Sequence, residues 1–569
     1  MCFMLNYIKN FFSTNIFFLI LLIIVVFSLY GKSINFELLK FDDDILITSN
    51  INLISDYKNI PKLFMMSAFY DNTTTYYRPV LSLSFAIESF FVRDDLRLYH
   101  ITNIILFILS LYFFYLFCVD FKLNSTIAKF VILIIAVHPM FSSVVVWIPG
   151  RNDSLLAFLF LLSFLCFIKY INTRKIRYIL LFYFFFVLSI FTKENFLFLI
   201  PLYFVYLFLY EYNISKKKLA IFFASLIPFI LLFLILRNNS VASLSFKYYV
   251  LHINNIFFNF IKDSCIYFYN FFIPEYIPTI LIDAKVSFKI IIYNCLFIVL
   301  FLFMLYKKIL SNKIIIFSLL LILLSLFPTF LTKDNTYLNH RFFICSLSFV
   351  MIIISLVDYL IVKIDRIKIV LIIFFIISFI GLFNISYKQA DKYKDHDTFW
   401  INAYVDNPNC YATCLHLSYM YLKIGRLEEA SYYAKKVIEL KSTFLTLINY
   451  AKFLIMIGDL EQAKTALLKL DQDMEKGSKD LIYYPLSEIY YQYKNYEQAF
   501  EYALKAHDMV PYNIDYCIQL IKIYDVMENY NEEMKIYEYL LSFDNKNKEY
   551  KNKIEELKQK MMDKDKINA

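Results

Sequence analysis

Residues 15–44 read NIFFLILLIIVVFSLYGKSINFELLKFDDD, a long apolar run followed by three adjacent aspartates. The apolar run, taken as 13–30, approaches the length that crosses a hydrocarbon layer of about 30 Å. No small-residue cleavage site follows it, so it predicts a retained signal anchor with its amino end in the cytoplasm. Acidic charge just outside a bilayer requires an explanation. Asp42 and Asp43 are therefore the first candidates for catalytic residues, and Asp44 is their neighbour.

The composition of the whole chain predicts a polytopic membrane protein. Of its 569 residues 60% are hydrophobic, and the mean hydropathy is +0.56, which exceeds what a water-soluble core needs. Eleven apolar runs are candidate spans: 13–30, 100–119, 127–147, 154–171, 177–192, 195–212, 219–236, 286–306, 313–331, 341–362 and 368–386. The membrane region is predicted to cover 1–392, with a long extracytoplasmic first loop at 31–99.

Basic residues between the runs predict the orientation. The net charge is +9, and the Lys and Arg residues cluster in connections that fall on one side if the first span runs outward. This side holds Lys122, Lys129, Arg174, Lys175, Arg177, Lys216, Lys217, Lys218, Lys307, Lys308, Lys313, Lys363, Arg366 and Lys368. Orientation explains this charge better than nucleic-acid binding does. An odd number of spans then places the carboxyl-terminal region outside the cytoplasm.

The carboxyl-terminal region, 393–569, has a different period. Tyr421, Leu454, Tyr490 and Tyr524 recur at spacings of 33, 36 and 34 residues, and Ala430, Ala463 and Ala499 repeat the first two spacings. Small and aromatic residues at a period near 34 indicate tetratricopeptide repeats, here near 411–444, 444–477, 480–513 and 514–547. Such repeats stack into a superhelix whose concave surface binds peptide. The alternative is an α-solenoid of spacer helices.

Nine cysteines are scattered along the chain without a CxxC motif and without His-Cys spacing that suits zinc. The sequence therefore predicts neither a disulfide framework nor a structural zinc site.

Six polar motifs interrupt the apolar runs on the predicted outer side. In chain order they are Phe41-Asp42-Asp43; Tyr77-Arg78-Pro79; Tyr99-His100 with Asn103; His138-Pro139 through Trp147, Gly150, Arg151 and Asp153; Thr192-Lys193-Glu194; and Asn339-His340-Arg341-Phe342. With Trp400 and the repeats after them, the chain resembles membrane O-mannosyltransferase-like proteins. These join a GT-C-type glycosyltransferase core to extracytoplasmic tetratricopeptide repeats. Departures at Val80, Asn152 and the Cys-Ser-Leu stretch after Arg341 leave the ionisable residues intact.

The resemblance implies an all-α fold, a GT-C-like helical membrane domain of about eleven spans followed by the repeat solenoid. It also implies a polyprenyl-phosphate-linked sugar as donor, with mannose as a candidate, and reaction on the extracytoplasmic face. Asp42 or Asp43 is the expected base, since a carboxylate can accept the proton of an acceptor hydroxyl. Cations would stabilise the leaving phosphate, and the expected ones are Arg78, Lys193, His340 and Arg341. Residues expected to line the cavity are His100, His138, Arg151, Asp153 and Glu194.

Each of these residues also has a structural interpretation. Asp42 and Asp43 can be solvated acids that cap a helix, and Arg78 an anchor at the membrane interface. Lys193 and Glu194 can form an ion pair in a tight turn, and His138 can serve packing. Two adjacent carboxylates can also hold Mg²⁺ or Mn²⁺ with waters, so the metal requirement stays open.

Three functions are compatible with the sequence. The first is a transferase that glycosylates an exported protein presented by the repeats. The second acts on a glycolipid or envelope polysaccharide, with the repeats recruiting partner proteins. The third is a non-catalytic membrane scaffold. The AT-rich codon usage implied by the composition favours a bacterial cytoplasmic membrane, whereas a eukaryotic host would place the repeats in the lumen of the endoplasmic reticulum. The sugar, the acceptor and the oligomeric state stay open.

Overall fold

The computed structural model describes residues 15–70, 74–210, 215–241, 246–275, 277–279, 281–282, 286–306, 312–330, 336–364, 367–473, 479–511, 513–543 and 548–568. The predicted orientation residues Lys307, Lys308 and Arg366 lie outside these ranges, as does the beginning of the first apolar run. The fold is all-α, and the chain divides into two compact units, Met1–Asn407 and Pro408–Ala569.

The boundary between the units lies later than the predicted one after residue 392. Residues 393–407 belong to the first unit, where Tyr393, Phe399 and Trp400 are buried. The Phe41 ring lies 6.5 Å from Phe399 and 5.7 Å from Trp400, which explains why this segment packs with the membrane region.

The first unit contains nineteen α-helices among the described residues. They are α1 (Asn15–Tyr30), α2 (Ile51–Ile54), α3 (Ile60–Leu63), α4 (Pro79–Val92), α5 (Leu96–Asp120), α6 (Ser125–Ala136), α7 (Ser142–Val146), α8 (Arg151–Thr173), α9 (Ile176–Thr192), α10 (Phe196–Leu199), α11 (Pro201–Leu209), α12 (Lys216–Ala224), α13 (Ile227–Ser240), α14 (Phe246–Phe272), α15 (Phe288–Tyr306), α16 (Asn312–Leu326), α17 (Phe343–Lys363), α18 (Ile367–Asp391) and α19 (His396–Asp406).

Short elements connect these helices. A π-turn covers Asp44–Thr48, and 3₁₀ turns cover Gly31–Asn35, Tyr57–Asn59, Pro139–Phe141, Ile148–Gly150, Phe327–Phe330 and Asn339–Phe342. Two antiparallel strands of two residues each, β1 (Leu281–Ile282) and β2 (Thr336–Tyr337), pair Leu281 with Tyr337 and Ile282 with Thr336.

Each of the eleven predicted runs overlaps helix in its described part, but some runs are divided between two helices, such as 127–147 between α6 and α7 and 195–212 between α10 and α11. Among the described residues, six helices are long and apolar enough to cross a membrane: Asn15–Asn35, Leu96–Asp120, Ile148–Thr173, Leu219–Ser240, Asn339–Lys363 and Ile367–Asp391. A seventh is the pair α6 and α7, which is bent by 60° at Pro139. The chain is thus a membrane-spanning protein, and the count of eleven spans stays a prediction.

The spanning helices occupy different environments in the first unit. The apolar window of Ile148–Thr173 is 78% buried, whereas that of Ile367–Asp391 is 6% buried. Helix α8 therefore lies at the centre of the helix bundle, packed on α5 and α9, and α18 presents most of its surface to lipid. The polar residues at the amino end of α8 are consequently enclosed by protein.

The second unit consists of consecutive helix pairs. They are α20 (Tyr411–Lys423) with α21 (Leu427–Leu440), α22 (Phe444–Met456) with α23 (Leu460–Asp473), α24 (Asp480–Gln492) with α25 (Tyr496–Met509), and α26 (Ile514–Val526) with α27 (Tyr530–Phe543); α28 (Lys548–Asn568) follows. In the first two pairs the turn contains a glycine with positive φ, Gly425 (78°) and Gly458 (83°).

The positions aligned in the sequence are equivalent in the structure. The carbonyl oxygens of Tyr421, Leu454, Tyr490 and Tyr524 each accept a backbone N–H from five residues later at 2.9 Å, the bond that ends the first helix of each pair. The alanines at the start of the second helices are fully buried, because a larger side chain would separate the two helices.

Candidate functional site

The three aspartates in the loop after α1 differ in their hydrogen bonds. Asp43 is 1% exposed, and its carboxylate accepts the backbone N–H groups of Leu39 (2.6 Å), Phe41 (3.0 Å) and Asp44 (3.1 Å). Burial raises the pKa of Asp43, and the backbone donors oppose that rise. Asp44 accepts the Thr48 hydroxyl within its own turn. Asp43 and Asp44 therefore shape the loop.

Asp42 presents the available carboxylate. The Asp42 side chain is partly exposed and forms neither a hydrogen bond nor an ion pair among the residues that the structure describes, while its backbone carbonyl accepts the Leu46 N–H at 3.0 Å. Burial and the neighbouring Asp43 charge raise the pKa of Asp42 to about 6, while Arg78 and Arg341 oppose the rise. A carboxyl of this pKa is mostly ionised at neutral pH, yet it binds a proton more readily than an ordinary aspartate.

Arg78 and Glu194 form a two-point ion pair near Asp42. Arg78 precedes α4, and its Nε and Nη2 lie 3.2 Å from the two carboxylate oxygens of Glu194. The guanidinium also lies 4.6 Å from the centre of the Tyr76 ring. Burial raises the pKa of Glu194, but the charge and hydrogen bonds of Arg78 outweigh it, so the pKa is lowered. The pair is ionised and joins α4 to the turn after α9.

Lys193, Asp153 and His340 form a second buried group. Lys193 Nζ donates to Asp153 Oδ1 at 2.7 Å and to Asn152 Oδ1 at 2.9 Å. Burial lowers the pKa of Lys193, although Asp153 opposes this effect. Asp153 Oδ2 is buried without a hydrogen bond among the described residues and lies 3.8 Å from His340 Nε2. The amino end of α8 is thereby tied to the turn before α17.

Arg341 acts on these groups through its charge, which affects the pKa of Asp42, of Lys193 and of Asp263. The structure thus brings together a carboxylate that is open to a ligand, Asp42, and residues that the sequence singled out. These are the cations Arg78, Lys193 and Arg341 and the buried imidazole of His340, with Asp153 and Glu194 as their partners.

Three further predicted cavity residues have structural partners elsewhere. Arg151 is fully buried, and it bonds Glu88 (2.7 Å), Asn103 (2.7 Å) and the Tyr99 carbonyl (2.8 Å). His100 is buried in α5, with its ring 6.4 Å from Phe36. Arg151 therefore holds α8 against α4 and α5.

His138 closes the bend between α6 and α7. Its Nδ1 accepts the Met140 N–H at 3.3 Å, and its Nε2–H donates to the Phe271 carbonyl at 3.0 Å. It also lines a cavity of about 780 Å³ whose other lining residues are mainly apolar and include neither Asp42 nor Arg341. Both ring nitrogens of His138 are thus hydrogen-bonded to backbone groups.

Sequence reasoning missed two parts of this region. Asp263 lies on α14, a helix between the predicted runs 219–236 and 286–306. It is 8% exposed, and burial raises its pKa to about 6. The second part is the aromatic surround of Phe41, with Trp147 at 5.9 Å and Trp400 at 5.7 Å. Trp400 before the repeats was the available signal for it.

The carboxylates of the two leading aspartates differ in their hydrogen bonds. Both oxygens of Asp43 accept backbone N–H groups, whereas the Asp42 carboxylate has no hydrogen-bond donor among the described residues. Within the described residues, no group of three or more His, Cys, Asp or Glu side chains is arranged to hold a metal ion.

Comparison with known proteins gives little further information. No family model matches the chain, and no curated protein matches it. Among solved structures, a chain described as "Functional Characterization of Pseudomonas Aeruginosa pilF" is similar at 18% sequence identity, over 31% of this chain and 78% of that chain, with a TM-score of 0.26. A likeness of this size carries no argument about function.

Proposed function

We propose that this protein is a membrane glycosyltransferase that moves a sugar from a polyprenyl-phosphate donor to hydroxyl groups of an exported protein. The observation that carries the proposal is the state of the Asp42 carboxylate. It has no hydrogen-bond partner among the described residues, and the charges of Arg78 and Arg341 act on it. A base beside cations is the arrangement that hydroxyl attack with phosphate departure needs.

In the proposed reaction, Asp42 accepts the proton of the acceptor hydroxyl. The hydroxyl oxygen bonds to carbon 1 of the sugar, and the bond between carbon 1 and the phosphate oxygen breaks. The departing phosphate takes the electron pair. Arg78, Lys193 and Arg341 stabilise the charge that develops on it, as preorganised donors do in a site that excludes water. His340, 3.8 Å from Asp153, belongs to the same phosphate-binding side.

The proposal places this reaction on the extracytoplasmic face of the membrane. Eleven spans with the amino end inside put the loop that carries Asp42 and the second unit on that side, in accord with the basic connections on the other. The helix pairs of the second unit, as tetratricopeptide repeats, would bind the acceptor protein or a partner. A bacterial cytoplasmic membrane is the proposed location.

The decisive experiment measures sugar transfer by the purified protein in nanodiscs. Radiolabelled polyprenyl-phosphate mannose and glucose are the donors, and exported proteins and glycolipids are the acceptors. We expect labelled protein from the wild type and a loss of at least about 10²-fold for Asp42→Asn, the usual contribution of a general base. Asp94→Asn is the matched control and should retain full activity, because Asp94 is an exposed acid between α4 and α5 that has no assigned role in the site.

Label that appears in glycolipid instead of protein would support the second transferase function. No transfer from either donor, together with full cellular rescue by the Asp42→Asn variant, would support the scaffold function and contradict the proposal.

A further inference from the structure

Helix α19 contacts the loop that carries Asp42. His396, the first residue of α19, donates its Nδ1–H to the Leu39 carbonyl at 2.7 Å. The Leu39 N–H in turn donates to Asp43 at 2.6 Å, so His396 and Asp43 hold opposite sides of the same residue. Asp42 directly precedes Asp43. The bonds of Leu39 to His396 and to Asp43 therefore restrict the main chain of Asp42.

The aromatic side chain next to Asp42 is held by the same helix. The Phe41 ring is 5.7 Å from Trp400 and 6.5 Å from Phe399, both on α19, and 5.9 Å from Trp147. Trp147 and Trp400 are 5% and 1% exposed, so Phe41 is inserted between buried surfaces. A residue anchored in this way restricts the rotation of the backbone that carries the Asp42 carboxylate.

The segment before α19 also contacts the stretch of chain that leads to Asp42. Lys32 Nζ is 2.6 Å from Asp391 and lies over the Tyr387 ring, and the Glu37 N–H donates to the Lys394 carbonyl at 2.9 Å. Contacts between residues 32–41 and 387–400 are thus continuous. The loop depends on a segment that is distant in sequence and ends at the boundary of the second unit.

We propose that His396 is a positioning residue for Asp42, and that α19 holds the catalytic loop in its reactive geometry through His396 and the Phe41 surround. This assignment rests on the proposed function for its kinetic part. Its structural part, the order of residues 36–44, does not depend on any reaction. Misplacement of a base by about 1 Å can reduce a rate by up to about 10²-fold without changing substrate affinity.

Hydrogen exchange tests the structural part in the full-length protein in nanodiscs. The N–H groups of Leu39, Phe41 and Asp44 bond to Asp43, so they should be protected in the wild type. We expect His396→Ala to raise exchange in residues 36–44 about 10-fold, which corresponds to the net contribution of one hydrogen bond. His396→Asn, whose amide can replace the Nδ1–H donor, should restore protection.

Transfer kinetics of the same variants test the kinetic part. His396→Ala should lower kcat by about 10- to 100-fold and leave the KM for the lipid-linked sugar within about 2-fold, with recovery in His396→Asn. Asn402→Ala is the matched control, because Asn402 lies on α19 but donates to the Thr398 carbonyl of its own helix. Phe41→Leu provides a second variant with the same expected pattern in case His396→Ala does not fold.

Unchanged exchange in both His396→Ala and Phe41→Leu would overturn the proposal. Faster exchange with an unchanged kcat would also overturn it, because the loop would then be loosened without affecting Asp42. If the wild type transfers no sugar, the proposed function fails, while the exchange result still decides whether α19 holds the loop.

Discussion

At the scale of single residues, Asp42 and Asp43 differ because of their hydrogen bonds. Three backbone N–H groups converge on the Asp43 carboxylate, whereas the Asp42 carboxylate forms no hydrogen bond among the described residues. Protonation of Asp43 would weaken the bonds that hold the loop, even though burial raises its pKa. The chemistry is accordingly assigned to Asp42 and the loop geometry to Asp43.

The pH dependence of sugar transfer should report Asp42. Its carboxyl must be ionised to accept a proton, and its raised pKa of about 6 means that the base is lost as the pH falls through about 6. We expect kcat/KM to fall about 10-fold per pH unit below that value and to be level just above it. The measurement is transfer between pH 4.5 and 8. A level profile down to pH 4.5 would contradict this assignment.

Asp42→Asn should stabilise the protein above pH 6. The folded-state pKa is raised, so the stability contributed by the protonated form is lost as pH rises through about 6, and the ionised carboxylate then opposes folding. Asparagine removes that cost. We expect a higher Tm than wild type at pH 8 and a smaller difference at pH 5, measured by thermal unfolding in detergent. A Tm below wild type at pH 8 would disagree with this reasoning.

Asp43→Asn should have the opposite effect on stability. The asparagine amide nitrogen would face a backbone N–H, so at least one hydrogen bond is lost and a buried donor is left unpaired. The expected cost is about 1–3 kcal/mol. Thermal unfolding beside Asp42→Asn provides the comparison, and equal Tm values for the two variants would contradict the assigned roles.

At the scale of secondary-structure elements, the amino end of α8 determines where the site groups lie. Asp153 points to Lys193 and His340, while Arg151, two residues earlier, bonds to α4 and α5. Gly150 lies directly before α8, and a Cβ there would overlap the Ser143 carbonyl and lie 3.1 Å from Val144 Cα. Close packing at this turn therefore requires glycine, and it fixes the direction in which α8 begins.

Arg151→Met should destabilise the first unit strongly. The change leaves the Glu88 carboxylate buried without its cation, and breaking a buried ion pair in this way costs about 3–5 kcal/mol. Thermal inactivation in nanodiscs measures the loss. The double variant with Glu88→Leu should regain part of it, because no charge is then left unpaired.

Lys169→Met is a suitable control for Arg151→Met, since Lys169 is exposed on the same helix. A single variant Arg151→Met as stable as this control would mean that the buried pair has no structural role.

At the scale of the whole molecule, the basic connections and the predicted span count give an orientation that can be tested. We expect a reporter fused after residue 569 to be extracytoplasmic and one inserted in the loop at 174–175 to be cytoplasmic. Alkaline phosphatase activity and protease protection measure this. Reporters on the same side would contradict the odd span count.

The sequence alone predicted the helices because the signals are local. Apolar runs and a repeat near 34 residues depend only on neighbours along the chain, so each predicted run overlaps a described helix and each aligned repeat position lies on one. The sequence did not show that the run at 127–147 would be divided into two helices bent by 60°, because a bend depends on packing.

The chemistry of the site depended on residues far apart in the chain. The sequence selected Asp42 and Asp43 together, and only the fold distinguished them, by directing the Leu39, Phe41 and Asp44 N–H groups to Asp43. It likewise placed Arg151 in a buried ion pair and brought His396 to the Leu39 carbonyl. The sequence thus determined which residues are candidates for the site. Which carboxylate stays open was decided by tertiary structure, because hydrogen bonding and burial depend on contacts between distant segments.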